Sequence, residues 1–216
     1  MAQRIDYYFA PHSPWTYLGH LRFWDIARKS GVPIRVLPVD LGQVFPVSGG
    51  LPLAKRAPQR QAYRLVELAR FSAWLHAPLN LQPKYFPVNP DDAARLIIAV
   101  DRHDGCDAAM ALADTLLRAV WVKDLNIADE AVLAAALAER ELPAERLAAS
   151  HTQAVQERYE ADSQAAIDAG VFGAPSYVVI DEQRGDGGAA EIFWGQDRLD
   201  FLERRLRARA APGPST

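Results

Sequence analysis

Cysteine is all but absent: Cys106 stands alone in 216 residues. No internal disulfide can staple this fold, and no pair of thiols can exchange one. Blocks of one charge are also absent. The 24 lysines and arginines and the 27 acidic residues are spread along the chain to a net charge of −3. That pattern leaves no electrostatic footprint for nucleic acid and no acidic interaction arm. No apolar run approaches the ~20 residues needed to cross a bilayer. The start, Met1 to Asp6, is polar and lacks the basic-then-apolar form of a signal peptide, so a reducing cytoplasm is the expected setting. His20, His76, His103 and His151 show no paired ligand spacing, so no metal site is read.

What is present is apolar: half the residues, enough for a globular core. Ile5 to Phe9 reads as a strand. Ser13 offers a helix N-cap with Pro14 at the first helical position, and Gly31 stops that helix. Ile34 to Val39 is a second strand, so a helical crossover makes the pair parallel. From about Ala54 to Asp168 the pattern is mainly helical: Arg60 to Trp74, a segment after Asn89 and Pro90, Asp107 to Val122, Asp129 to Glu139, and His151 to a stop at Gly170. Gly173 to Ile180 is a strand, "RGDGG" a turn, and "AEIFWG" a strand, which together predict an antiparallel hairpin. Asp197 to Arg207 closes the chain as an amphipathic helix.

The order β-α-β, helical block, β-β-α is that of an α/β, thioredoxin-like fold interrupted by a large all-helical insertion. Residues 1–48 and 165–210 are expected to form the discontinuous thioredoxin-like domain, 49–164 the insertion, and 211–216 a flexible tail. In that fold the first helix begins at the reactive position. Here it reads "PHSPW". Disulfide exchange needs thiolates there, so this chain cannot perform two-cysteine redox chemistry by itself.

The segments "YYFAPHSPWTYLG", "YFPVNPDDAARL", "RAVWVKDLNIADEAVL", "GVFGAPSYVV" and "FWGQDRLDFLE" together resemble the 2-hydroxychromene-2-carboxylate isomerases. These are a glutathione-dependent, DsbA-like family close to the kappa-class glutathione transferases. The resemblance implies glutathione as cofactor, a homodimer, and a role for Ser13 facing the glutathione sulfur. A helix N-terminus and a hydroxyl donor both favour a thiolate. Pro175 matches the family's cis-proline, so that Ala174 offers backbone groups to a peptide-like ligand. Gln196 and Asp197 match the positions holding the γ-glutamyl end, although Asp197 also suits a helix cap. The family's lysine before the first insertion helix corresponds to Arg60, with Lys55 and Arg56 as rivals, for a carboxylate of glutathione or substrate. Asn89 either lines the site or caps a helix. No match for an upstream family asparagine exists in "VSGGLPLAK". His12 is a departure from the family pattern and reads as a base, a tuner of the thiol or an exposed loop residue. Trp15 replaces a smaller aromatic at the substrate pocket, and Trp121 and Trp194 read as core.

The activity implied is interconversion of 2-hydroxychromene-2-carboxylate and trans-o-hydroxybenzylidenepyruvate by reversible thiolate addition. Two alternatives remain open: a kappa-like glutathione transferase or peroxidase, and a non-catalytic thioredoxin-fold binding module.

Overall fold

The computed structural model describes residues 3–181 and 190–210, with side chains described through residue 207. The "RGDGG" turn and the tail 211–216 lie outside the described residues. Strand β1 (Arg4–Phe9) leads through helix α1 (Pro14–Ser30) to β2 (Ile34–Pro38). Helices α2 (Leu41–Ser48), α3 (Pro58–Trp74), α4 (Asp91–Asp104), α5 (Cys106–Trp121), α6 (Glu130–Glu139), α7 (Glu145–Ser150) and α8 (Gln153–Asp168) follow. Strands β3 (Ser176–Ile180) and β4 (Glu191–Trp194), a 3-10 turn (Gln196–Arg198) and α9 (Leu199–Ala210) complete the chain. The sheet order is β2-β1-β3-β4. β1 runs parallel to β2 and antiparallel to β3, and β3 pairs antiparallel with β4, as the sequence predicts.

β1 is central and covered on both faces, which is why five of its six residues are buried. The two-residue period of a strand divides them. Ile5, Tyr7 and Phe9 enter one core with α1, α4, α5 and α9; Tyr8 enters another with Leu37, Val39, Val44 and Val178 beneath α2 and α8. The first core runs without a break from the sheet into the helical block through Leu96, Ile97, Met110, Leu116 and Trp121.

α1 starts on the Ser13 cap and ends at Gly31, whose φ of 67° suits a residue without a Cβ. Its register fixes a buried polar contact. His20 Nε2 lies 2.9 Å from the Met110 carbonyl oxygen, which can only accept, so this nitrogen carries the proton. Nδ1 therefore accepts from the Tyr7 hydroxyl at 3.0 Å. The Tyr7 ring in turn stacks on Tyr177, its directly opposed partner on β3, with centroids 5.4 Å apart.

Two helices were not visible in the sequence pattern. α2 carries Pro46 inside the helix. It is held by Asp40, whose carboxylate accepts the Gly42 N–H at 2.7 Å, and by Val44 buried against the sheet. α7 is too short for a period to show. β3 begins at Ser176 rather than Gly173, leaving Gly173–Pro175 as a loop, and the last helix begins after the 3-10 turn rather than at Asp197. Among the described residues, no helix is long and apolar enough to cross a membrane.

Replacing His20 by leucine strands the Tyr7 hydroxyl and the Met110 carbonyl. The expected loss is about 2–6 kcal/mol in urea unfolding, from one to three for each unpaired buried group. Adding Tyr7→Phe to that variant should restore part of it.

Candidate active site

The site begins where β1 ends. The chain turns through Ala10, Pro11 and His12, with the Ser13 N–H donating to the Ala10 carbonyl at 2.9 Å. Ser13 is extended (φ −80°, ψ 126°), and its Oγ accepts the Thr16 N–H at 3.2 Å. Pro14 follows with no N–H to satisfy. Because β3 lies beside β1, the loop before β3 meets this helix start, although the two are 161 residues apart. The Ser13 hydroxyl donates to the Ala174 carbonyl at 3.5 Å, the long limit of a hydrogen bond and therefore a contact easily exchanged. The Ala174–Pro175 bond is cis, as expected from the sequence; a second cis bond, Phe86–Pro87, was not foreseen.

Beside this junction is a cavity of about 490 Å³, within the usual range for small-molecule sites. One wall is α3. Arg60, Arg64, Glu67 and Phe71 share a helix face at i, i+4, i+7 and i+11, and all line the cavity. The facing wall is Ala174 with Trp194 to Arg198, and Trp15 of α1 also contributes, its ring edge-on to Phe71 at 6.0 Å. Gly19 permits the close approach of α1: a Cβ there would sit 2.7 Å from Gln196 Cβ and 2.9 Å from the Tyr177 hydroxyl.

The charges are unequal. Arg56, Arg60, Arg64 and Arg198 face the space, against Glu67 and Asp197. Both carboxylates are already engaged, Asp197 with Arg198 at 2.5 Å and Glu67 with Arg70 at 2.8 Å. The guanidinium groups of Arg60 and Arg64 have neither hydrogen bond nor ion pair among the described residues. The cavity is therefore suited to anions.

Of the site residues read from the sequence, Arg60, Ala174, Gln196 and Asp197 line this cavity. Ser13 does not line it; it is buried and touches Ala174, which does. Pro175 is held next to Ala174, its carbonyl accepting the Gly195 N–H at 2.9 Å. Gln196 is buried; Arg22 donates to its Oε1 at 3.0 Å, while its Nε2 is buried without a partner. Of the two rival cations, Arg56 lines the cavity and donates to the Leu51 carbonyl at 2.8 Å, whereas Lys55 is exposed and does not line it. Asn89 does not line it either. Its Oδ1 accepts the Asp91 N–H at 2.9 Å and so caps the start of α4.

Trp194 corrects the sequence reading. It is half exposed, packs on Phe172 at 4.8 Å and forms cavity wall rather than core, because β4 is an edge strand. Arg64, Glu67, Phe71 and Arg198 were not singled out in the sequence. The signal for the first three was available: a helical stripe on a segment whose only fully buried side chain is Leu68.

His12 stacks on Phe86 at 6.3 Å, and its Nδ1 is buried without a partner. Burial pushes its pKa down to about 4, against a smaller opposing pull from Asp40. Burial lowers His20 as well. Unfolded histidine takes up a proton near 6.5, before either folded imidazole does. Stability at these sites is therefore complete above that pH and falls as pH drops toward 4. Histidine ring NMR shifts should titrate near 4 for His12, and the urea midpoint should decline steadily below about pH 6.5. A midpoint near 6.5 for His12 would mean its ring is solvated.

Comparison with known proteins follows the same lines. The profile of the DSBA-like thioredoxin domain matches residues 4–207. The chain is 31% identical over 207 residues to a 2-hydroxychromene-2-carboxylate isomerase of Pseudomonas putida, covering 94% of this chain and 93% of that protein. It is 29% identical over 208 residues to the enzyme of the same name from Sphingobium xenophagum, covering 95% and 99%. The solved structure of a 2-hydroxychromene-2-carboxylate isomerase superposes with a TM-score of 0.73 at 26% identity, over 95% of each chain. With Ser13 at the start of the first helix, the cis-proline loop beside it and this match over nearly its whole length, the chain belongs to the 2-hydroxychromene-2-carboxylate isomerase family within the DsbA-like thioredoxin fold.

Proposed function

We propose that the protein is a glutathione-dependent isomerase that interconverts 2-hydroxychromene-2-carboxylate and trans-o-hydroxybenzylidenepyruvate, or a closely related aryl enone carboxylate. The observation that carries this reading is the meeting of the Ser13 hydroxyl and Ala174, which lines a cavity holding four arginines, two of them unpaired. The residues present suit glutathione. It has two carboxylates, an ammonium and a peptide backbone. The cavity has Arg56 and Arg60, the Asp197 carboxylate, the buried unpartnered Gln196 amide and the Ala174 backbone.

Bound glutathione supplies a thiolate whose reversible addition to the conjugated carbon lets the double bond rotate before the thiolate departs unchanged. Ser13 and the first turn of α1 favour the ionised sulfur, through a charge-assisted hydrogen bond and the helix dipole. The Ser13 proton is available because its present acceptor is 3.5 Å away. The guanidinium groups stabilise negative charge as it develops on the substrate oxygen. Trp15 and Phe71 offer apolar surface to an aromatic ring.

The test is titration of the protein with reduced glutathione, following thiolate absorbance against pH. The bound thiol should ionise below the free one, and its pKa should rise by about one unit in Ser13→Ala. Isomerase turnover should fall by about ten- to a hundredfold in that variant. Loss of the cap costs about 0.5–2 kcal/mol in either case, so stability does not discriminate. Equal thiol pKa values in the two proteins would return Ser13 to capping alone, and isomerisation without glutathione would remove the cofactor from the proposal.

A further inference from the structure

Behind one residue of the cavity wall, Arg64, lies an aromatic cluster that does not itself line the cavity. The guanidinium carbon of Arg64 lies 5.2 Å from the ring centroid of Phe86 and 5.8 Å from that of Trp121. The two rings pack at 4.8 Å. Phe86 also stacks on His12, the residue before Ser13. The cluster thus ties the wall of α3 to the start of α1.

Its polar atoms share a property. Arg64 Nη2 and Trp121 Nε1 are both buried, both donors, and both without a hydrogen-bond partner. No carboxylate approaches Arg64; the charge acting most on it is the like charge of Arg56, and burial pulls its pKa down to about 10. The aromatic seat contributes a cation–π attraction, which is less than a desolvated cation forgoes. A flat, unsatisfied fork of donors held on two rings is complementary to a planar anion that accepts two parallel hydrogen bonds.

We infer that Arg64, seated on Phe86 and Trp121, is the specificity residue that binds the carboxylate of the substrate, leaving Arg56 and Arg60, nearer the start of α3, for glutathione. The inference rests on the isomerase reading for the name of the substrate. The cluster itself requires only a carboxylate joined to a planar conjugated group. Arg60 is exposed in the first turn of α3, whereas Arg64, one turn on, is half-buried against the ring of Phe86. That difference favours an aromatic carboxylate over the glycyl end of a peptide.

The experiment uses cinnamate and cinnamamide as unreactive probes, with glutathione present, and then 2-hydroxychromene-2-carboxylate as substrate. Wild type should bind cinnamate about tenfold or more tighter than cinnamamide. Arg64→Gln should abolish that preference, and Arg64→Lys should keep part of it. KM for the chromene carboxylate should rise about ten- to a hundredfold in Arg64→Gln, while KM for glutathione stays within about twofold. Removing an unpaired buried charge should leave Tm equal or higher.

A rise in KM for glutathione alone would assign Arg64 to the glutathione carboxylate and overturn the inference. Retained preference for cinnamate in Arg64→Gln, with a lowered Tm, would make Arg64 structural. No preference in wild type would overturn it whatever the activity. Conversely, if wild type fails to isomerise the chromene carboxylate but Arg64→Gln loses the cinnamate preference, the anchor stands and the isomerase reading falls.

Discussion

The position of β1 between a parallel β2 and an antiparallel β3 is the constraint on which the site depends. Side-by-side pairing forces the end of β1 to lie next to the start of β3, so the chain leaving Phe9 must turn into α1 against the loop that ends at Pro175. Ser13 meets Ala174 for that reason, across 161 residues of sequence. The same strand is sandwiched between two cores, and its alternation leaves no register but one. A slip of one residue would exchange Tyr7 for Tyr8 and break the stack with Tyr177 and the bond to His20. The rigidity of the junction is therefore inherited from the most buried part of the molecule.

The helical block has the opposite character where it faces the site. α4 and α5 bury most of their residues, whereas α3 fully buries only Leu68. A helix so lightly committed to the core is free to devote a face to the cavity, and it presents arginines there. Their charges are not neutralised by carboxylates within the described residues, because Glu67 turns to Arg70 and Asp197 to Arg198. Such an arrangement sacrifices stability in the free protein and is compensated when an anion enters. The two halves of the site thus differ physically: a buried junction on one side, and a lightly buried helix carrying unpaired arginines on the other.

His12 and His20 illustrate how local sequence and tertiary burial diverge. Both are isolated histidines in the chain. His20 has both ring nitrogens bonded in the core, whereas His12 has a buried Nδ1 with none. Desolvation keeps both neutral through ordinary pH. Neither state follows from the residue type, since an unperturbed imidazole titrates near neutrality.

The order of elements, the parallel and antiparallel pairings, the caps at Ser13 and Gly31 and the cis-proline before β3 were legible in the sequence, because each rests on local period, turn chemistry or a recognisable segment. The replacement of any thiol by Ser13 was legible too, and so was the family. α2, with its internal Pro46, and the six-residue α7 were not, since their helicity comes from capping and packing rather than from propensity. Which cations line the cavity was decided only by the fold. Sequence distance offers no ranking among Lys55, Arg56, Arg60 and Arg64, but the pitch of α3 turns two of them inward while Arg56 approaches from the segment before it. Trp194 became cavity wall because β4 is an edge strand with one side uncovered. By itself the sequence determined the strands, the longer helices and their order, and that the helix start carries a hydroxyl instead of a sulfur. Which side chains stand together, and which charges are left without partners, was decided by tertiary structure, because burial and pairing depend on neighbours that no local pattern encodes.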